Sequence, residues 1–185
     1  MNRIVTLTLI VLFSGCVDKS KTNVDIVRDY YRGLNQQDFK LVSSRLANNV
    51  LTKEIDYIVS ENLDEIYVIF QWDSVFNPIY KIINLERISD DTISAVISRF
   101  CKRVNFLQDT SLTYKTIFIF EDNEIVQIET VDFIFLNYDT WGSRRDSLVS
   151  WISESHKDLD GFIYDLTPSG AVKYIKAIEL YENRK

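Results

Sequence analysis

Thr113-Tyr-Lys-Thr-Ile-Phe-Ile-Phe-Glu121, then Asp122-Asn123, then Glu124-Ile-Val-Gln-Ile-Glu-Thr-Val-Asp-Phe-Ile-Phe135: two β-rich runs meet across two turn residues. Ile, Val, Phe, Tyr and Thr suit extended backbone, and Asp-Asn tolerates the positive φ of a tight hairpin. Runs of the same kind occupy roughly 80–88 and 92–104, with turn chemistry at Ser89-Asp90-Asp91 and Gln108-Asp109-Thr110-Ser111. Links this short join antiparallel neighbours, because a parallel return needs a long crossover. Four long strands therefore make one antiparallel sheet.

On either side of the sheet the period is helical. Val24, Val27, Tyr31 and Leu34 recur at three- and four-residue spacing behind Asn23 as a cap. Asn35-Gln36-Gln37 interrupts that helix, and Asp38 caps a second short one carrying Phe39, Val42 and Leu46. A third follows Ser60, with Glu61, Asp64 and Glu65 at the positive end of its dipole. Ile66, Ile69, Phe70 and Trp72 are its apolar residues, and Asn77-Pro78 ends it. Residues 50–59 are ambiguous, although Ile55, Tyr57 and Val59 alternate as a short strand would. Beyond the sheet, Ser143 or Trp141-Gly142 opens a helix edged by Leu148, Trp151 and Ile152. Thr167-Pro168 opens the last, with Val172, Ile175, Ile178 and Tyr181 as its stripe. The order predicts an α+β domain over 24–139, with a helical extension over 140–185 docked on it.

The first residues carry an address. Arg3 precedes the apolar run Ile4 to Phe13, and Ser14-Gly15-Cys16 closes it. A positive start, a short apolar stretch and a small-residue site make a secretory signal peptide over 1–15. The run is too short for a membrane span, which needs about 20 residues. The cysteine at the cleavage point resembles the bacterial lipoprotein signal, although Leu12 stands one place further from Cys16 than in the commonest arrangement. That resemblance implies acylation of Cys16, a polar tether over 16–23, and a lipid-anchored protein of the bacterial cell envelope. An ordinary signal peptide with a chance cysteine is the alternative. Removing 1–15 leaves 170 residues, enough for one domain with a sizeable core. The formal charge of −6 becomes −7 once Arg3 is gone. So acidic a chain argues against nucleic acid and against polybasic lipid binding, leaving the acyl chains as the membrane contact.

The helix with paired tyrosines, Val27-Arg-Asp-Tyr30-Tyr31, then Asp38-Phe39, then four antiparallel strands resembles the nuclear transport factor 2-like superfamily. The likeness covers about residues 24–135, and single-helix cystatin-like folds are the rival. Leu159-Asp-Gly-Phe-Ile-Tyr-Asp-Leu-Thr-Pro-Ser-Gly170 is similar to tails of envelope lipoproteins of that superfamily. The resemblance implies helices packed on a curled, cone-like sheet around a pocket. Members use the pocket for isomerase, cyclase, hydrolase or dehydratase chemistry, or for binding alone, so the fold implies no single function.

No catalytic residue, metal ligand set or cofactor is assigned. His156 is the only histidine, and Cys101 the only cysteine besides Cys16. A symmetric hairpin about Asp122-Asn123 would set Phe120 against Ile125, Phe118 against Gln127 and Thr116 against Glu129. The preceding loop, if symmetric, would bring Arg103 beside Thr116 and Cys101 beside Phe118. Arg99, Cys101, Arg103, Gln127 and Glu129 would then share one face, with Phe100, Ile117, Ile119, Val126 and Ile128 on the core side. Arg99, Arg103, Gln127 and Glu129 are the candidate ligand-binding residues; a solvated or dimeric sheet with an Arg103–Glu129 ion pair is the blander alternative. Two functions compete: a non-catalytic domain for a small ligand or for protein association, and a pocket enzyme using a carboxylate and a tyrosine.

Changing Cys16→Ala is expected to leave an unprocessed or water-soluble form. Detergent phase partitioning checks this, and equal aqueous partitioning of wild type and variant would refute lipidation.

Overall fold

A computed structural model describes residues 22–184. The leader, Cys16 and most of the tether lie outside the described residues. Helix α1 (Asn23–Gln36) begins one residue earlier than the spacing implied: Thr22 caps it, and Asp25 closes a capping box. Asp38 caps α2 (Phe39–Ser43) as expected. Leu46, expected on that helix, instead starts strand β1 (Leu46–Glu54), and β2 (Tyr57–Ser60) follows. Ile55, expected within a strand, sits between β1 and β2 with φ +55°. Asn62 caps α3 (Leu63–Ser74). Strands β3 (Ile79–Arg87) and β4 (Thr92–Phe100) come next, then helix α4 (Lys102–Gln108), then β5 (Leu112–Glu121) and β6 (Glu124–Phe135). The chain closes with α5 (Tyr138–Ser155) and α6 (Pro168–Glu182), the latter capped by Thr167 with Pro168 in its first turn.

The sheet has six strands in the order β2-β1-β6-β5-β4-β3, all pairs antiparallel except β1 with β6. The β5–β6 hairpin keeps Phe120 opposite Ile125, but β6 carries an extra residue before Gln127, so Phe118 faces Ile128 and Thr116 faces Thr130. The bulge turns Gln127 and Glu129 away from Arg99 and brings Ile128 to its side; on β4 and β5 the face that carries Arg99 and Phe118 is itself the core face. Phe118, Phe120, Ile125 and Ile128 all turn inward and are buried with Ile93, Ala95 and Ile97 under α1. Of the residues expected on the core side only Ile128 is there. Ile117, Ile119 and Val126 are half-exposed, and Phe100 is exposed.

Two cores result. One lies between the inner face of the sheet and α1 to α3, and includes Val27, Tyr31, Val42, Val50 and Ile66. The other joins the end of α3 and α4 to the C-terminal helices, burying Phe76, Val104, Leu107, Leu148, Ile152 and Ile178. Burial of so many apolar side chains explains why the extension packs rather than trails. Helix α6 turns in Ala171, Tyr174, Ala177 and Ile178, with Val172 outside, a rotation of the expected stripe. Small alanines admit that helix closely, and Gly170 takes this furthest. A Cβ there would lie 2.0 Å from the Asp165 carbonyl oxygen.

Gly170→Ala is therefore expected to cost about 1–3 kcal/mol through forced displacement of the segment before α6. A thermal melt should fall by several degrees; an unchanged melt would show that the segment yields freely.

Candidate functional site

A cavity of about 220 Å³ opens between α1, α3 and the inner face of the sheet. Helical spacing places Ile66, Ile69, Phe70 and Asp73 along one side of α3. Ile66 and Ile69 form one wall of the cavity, and Tyr30, Tyr31 and Leu34 of α1 form another. Its floor is Arg99 of β4, Tyr114 and Thr116 of β5, and Ile128 and Thr130 of β6. Lys53 and Glu54 stand at its rim. Tyr80 and Tyr30 also line a smaller hollow of about 110 Å³ that reaches Asp73.

Asp73 is committed on both oxygens. Oδ2 accepts from the Tyr80 hydroxyl at 2.6 Å, and Oδ1 accepts from the Arg99 guanidinium. Only 14% of the Asp73 side chain and 16% of the Arg99 side chain remain exposed. Burial pulls the guanidinium down, but the Tyr80 oxygen and the Asp73 carboxylate outweigh it and hold Arg99 above its ordinary range. Burial likewise drives the Tyr30, Tyr31 and Tyr80 hydroxyls upward, and pushes Tyr114 up to about 12. The tyrosines are thus neutral donors near pH 7. Two polar atoms of the floor have no partner: Arg99 Nε and the Thr116 hydroxyl, the latter in a residue only 1% exposed. Thr116 is close enough to Tyr31 to bear on that hydroxyl's titration, but nothing meets it in hydrogen-bond geometry. Unpaired buried polar groups are costly, so the floor is incomplete by two hydrogen bonds.

The four expected ligand residues are dispersed. Arg99 lines the cavity. Arg103 is not on a strand, because β4 stops at Phe100 and Cys101 caps α4, its sulfur accepting from the Val104 amide at 3.4 Å. Arg99 faces Leu112 across the sheet, so Arg103 and Cys101 have no partners on β5. The Arg103 guanidinium is wedged among Trp72, Phe76 and Trp141, 5.1 to 5.7 Å from their ring centroids, where it pins the extension to α3. Gln127 and Glu129 bond to one another at 2.9 Å on the half-exposed outer face. The expected shared face, and its Arg103–Glu129 pair, do not exist. His156 ends α5 and packs on Trp151. Among the described residues no group of three or more His, Cys, Asp or Glu side chains could hold a metal ion. Sequence reasoning passed over Asp73, Tyr80 and Tyr114. The available signal was an acid placed seven residues after Ile66, on the apolar side of an amphipathic helix.

The Tyr114 proton is held more tightly in the fold than at its ordinary value of 10, so its contribution to stability is complete below pH 10 and lost as pH rises toward about 12. Melting temperature across that interval should fall more gently in Tyr114→Phe than in wild type. Equal slopes would place this hydroxyl in water.

No family model and no curated protein matches the chain. Solved structures do. A nuclear transport factor 2-like protein of unknown function from Burkholderia pseudomallei is 17% identical, with TM-score 0.52 over 68% of this chain and 96% of its own. AclR, a putative hydroxylase from Streptomyces galilaeus, is 10% identical, with TM-score 0.51 over 65% of this chain and 84% of its own. An uncharacterized cystatin fold protein from Novosphingobium aromaticivorans is 10% identical, with TM-score 0.50 over 60% and 99%. Each neighbour is used almost whole, while this chain has a substantial remainder. Three helices over the inner face of a mostly antiparallel curved sheet, with helices added at its C-terminal end, give this chain the nuclear transport factor 2-like fold.

Proposed function

We propose that the domain is a non-catalytic binding module for a small molecule, displayed by a protein anchored in the bacterial envelope through Cys16. The observation behind this is the committed state of Asp73. Asp73 reaches the smaller hollow beside the cavity, and both its oxygens already serve Tyr80 and Arg99; Glu54, at the cavity rim, is exposed to solvent. Glu129, one of the candidate ligand-binding residues, lies outside the cavity. At about 220 Å³ the cavity is smaller than the ~300–1,000 Å³ usual for drug-sized ligands. A compact ligand with an apolar body fits walls of Ile66, Ile69, Leu34 and Ile128.

The geometry also suits display from a membrane. Helix α1 starts beside the β3–β4 turn, where Asn23 donates to the Asp90 carbonyl at 2.9 Å. Lys53 and Glu54, at the cavity rim, pair with β6 at Glu129 and Thr130, far from the Asp122-Asn123 turn. A tether ending at Asn23 would thus attach near the β3–β4 turn, away from the Lys53 and Glu54 rim. The second reading, proton transfer by an enzyme, draws on the same 2.6 Å contact between a carboxylate and a tyrosine.

A thermal-shift screen with compact neutral aromatics tests the proposal against Ile69→Trp, which fills the cavity. A ligand at a hundred times its Kd should raise the wild-type melt by roughly 5–10 °C and leave the filled variant unmoved. Equal shifts in both proteins would move binding elsewhere. Turnover of a bound compound, abolished by Asp73→Asn, would establish the enzyme instead.

A further inference from the structure

The cavity floor offers donors in excess. Arg99 Nε has no acceptor, the Thr116 hydroxyl has no partner, and Tyr31 and Tyr114 face the same space. Arg99 Nε can only donate and the hydroxyls can donate as well, so a ligand acceptor suits this floor. What kind is decided by charge. Around the cavity the ionised groups are Arg99 with Asp73 bonded to it, and Lys53 beside Glu54 at the rim. Two cations and two carboxylates balance there, so the cavity carries no net positive charge. A carboxylate ligand would bring a second negative charge close to Asp73, into surroundings walled by Leu34, Ile66, Ile69 and Ile128 that disfavour an unpaired charge. An uncharged carbonyl oxygen meets the free N–H and O–H groups without that repulsion.

Taking the cavity to be a ligand site, as proposed above, we infer that Asp73 sets its charge selectivity. By neutralising Arg99, Asp73 makes the cavity take a small molecule through a neutral carbonyl oxygen and reject the matching carboxylate. Asp73 is thus a specificity residue that acts through Arg99 without touching the ligand. Losing its charge would leave the guanidinium unopposed, a site for a carboxylate.

Acetophenone and benzoate, alike in shape and different in charge, are suitable probes for calorimetric titration of the full chain in detergent. Wild type should bind acetophenone at least about tenfold more tightly than benzoate, and Asp73→Asn should reverse that order. Thr116→Val keeps the shape of the floor and should fold as wild type does. It should weaken acetophenone roughly five- to tenfold, the worth of one hydrogen bond. Equal binding of the two probes by wild type, or a preference for benzoate, would overturn the inference while keeping the cavity as a site. So would a folded Asp73→Asn variant with an unchanged preference. If Asp73→Asn does not fold, undiminished acetophenone binding by Thr116→Val overturns it. Failure of wild type to bind either probe would refute the cavity as a ligand site and the inference with it.

Discussion

A guanidinium on the inward face of a sheet needs a counter-ion, and in this fold that need ties three elements together. Arg99 comes from β4, Tyr80 from β3 and Asp73 from the last turn of α3. Their contacts tie the last turn of α3 to the edge of the sheet, while Leu63, Ile66 and Phe70 pack the same helix onto the core. Removing one member of a fully buried ion pair costs ~3–5 kcal/mol, and this partly exposed pair somewhat less. The cavity lies beside this polar strut, between α1, α3 and the strands.

The same end of the sheet explains the extension. Strand β4 stops at Phe100, and α4 carries Val104 and Leu107 away from the sheet into a second core. Trp72 and Phe76, at the end of α3, pack there too, with Arg103 wedged between them and Trp141. The C-terminal helices thus buttress the helix that supplies Asp73. Destabilising α5 or α6 would act on the cavity through the footing of α3, without any contact to a ligand.

Much of the architecture was legible in the sequence because local signals agreed with the tertiary outcome. Strand-forming runs bounded by Asp-Asn turns, the Asp38 and Thr167 caps, and the short hairpin links all specify structure within a few residues. The failures have definite causes. An extra residue in β6 before Gln127 is silent in an alternating pattern, yet it turns Ile128 to the core and Gln127 and Glu129 to the outer face. Cys101-Lys-Arg-Val104 continues an apolar, β-favouring run, and only the cap formed by its sulfur and the packing of Val104 and Leu107 turn it into helix. The cavity groups come from α1, α3 and all six strands, so their juxtaposition depends on register, and register was what the bulge altered. Arg99 was legible because it lies on β4 before that strand ends at Phe100; Asp73 and Tyr80 belong to α3 and β3, away from the central hairpin.

The most direct measurement is a high-resolution crystal structure of the protein purified from its cells without exchange of any bound molecules. Density is expected in the cavity from a compact molecule, with an oxygen at hydrogen-bond distance from Arg99 Nε or Thr116 Oγ1, and Asp73 still bonded to Tyr80. A collapsed cavity, with Arg99 Nε and Thr116 satisfied by protein groups alone, would contradict the account.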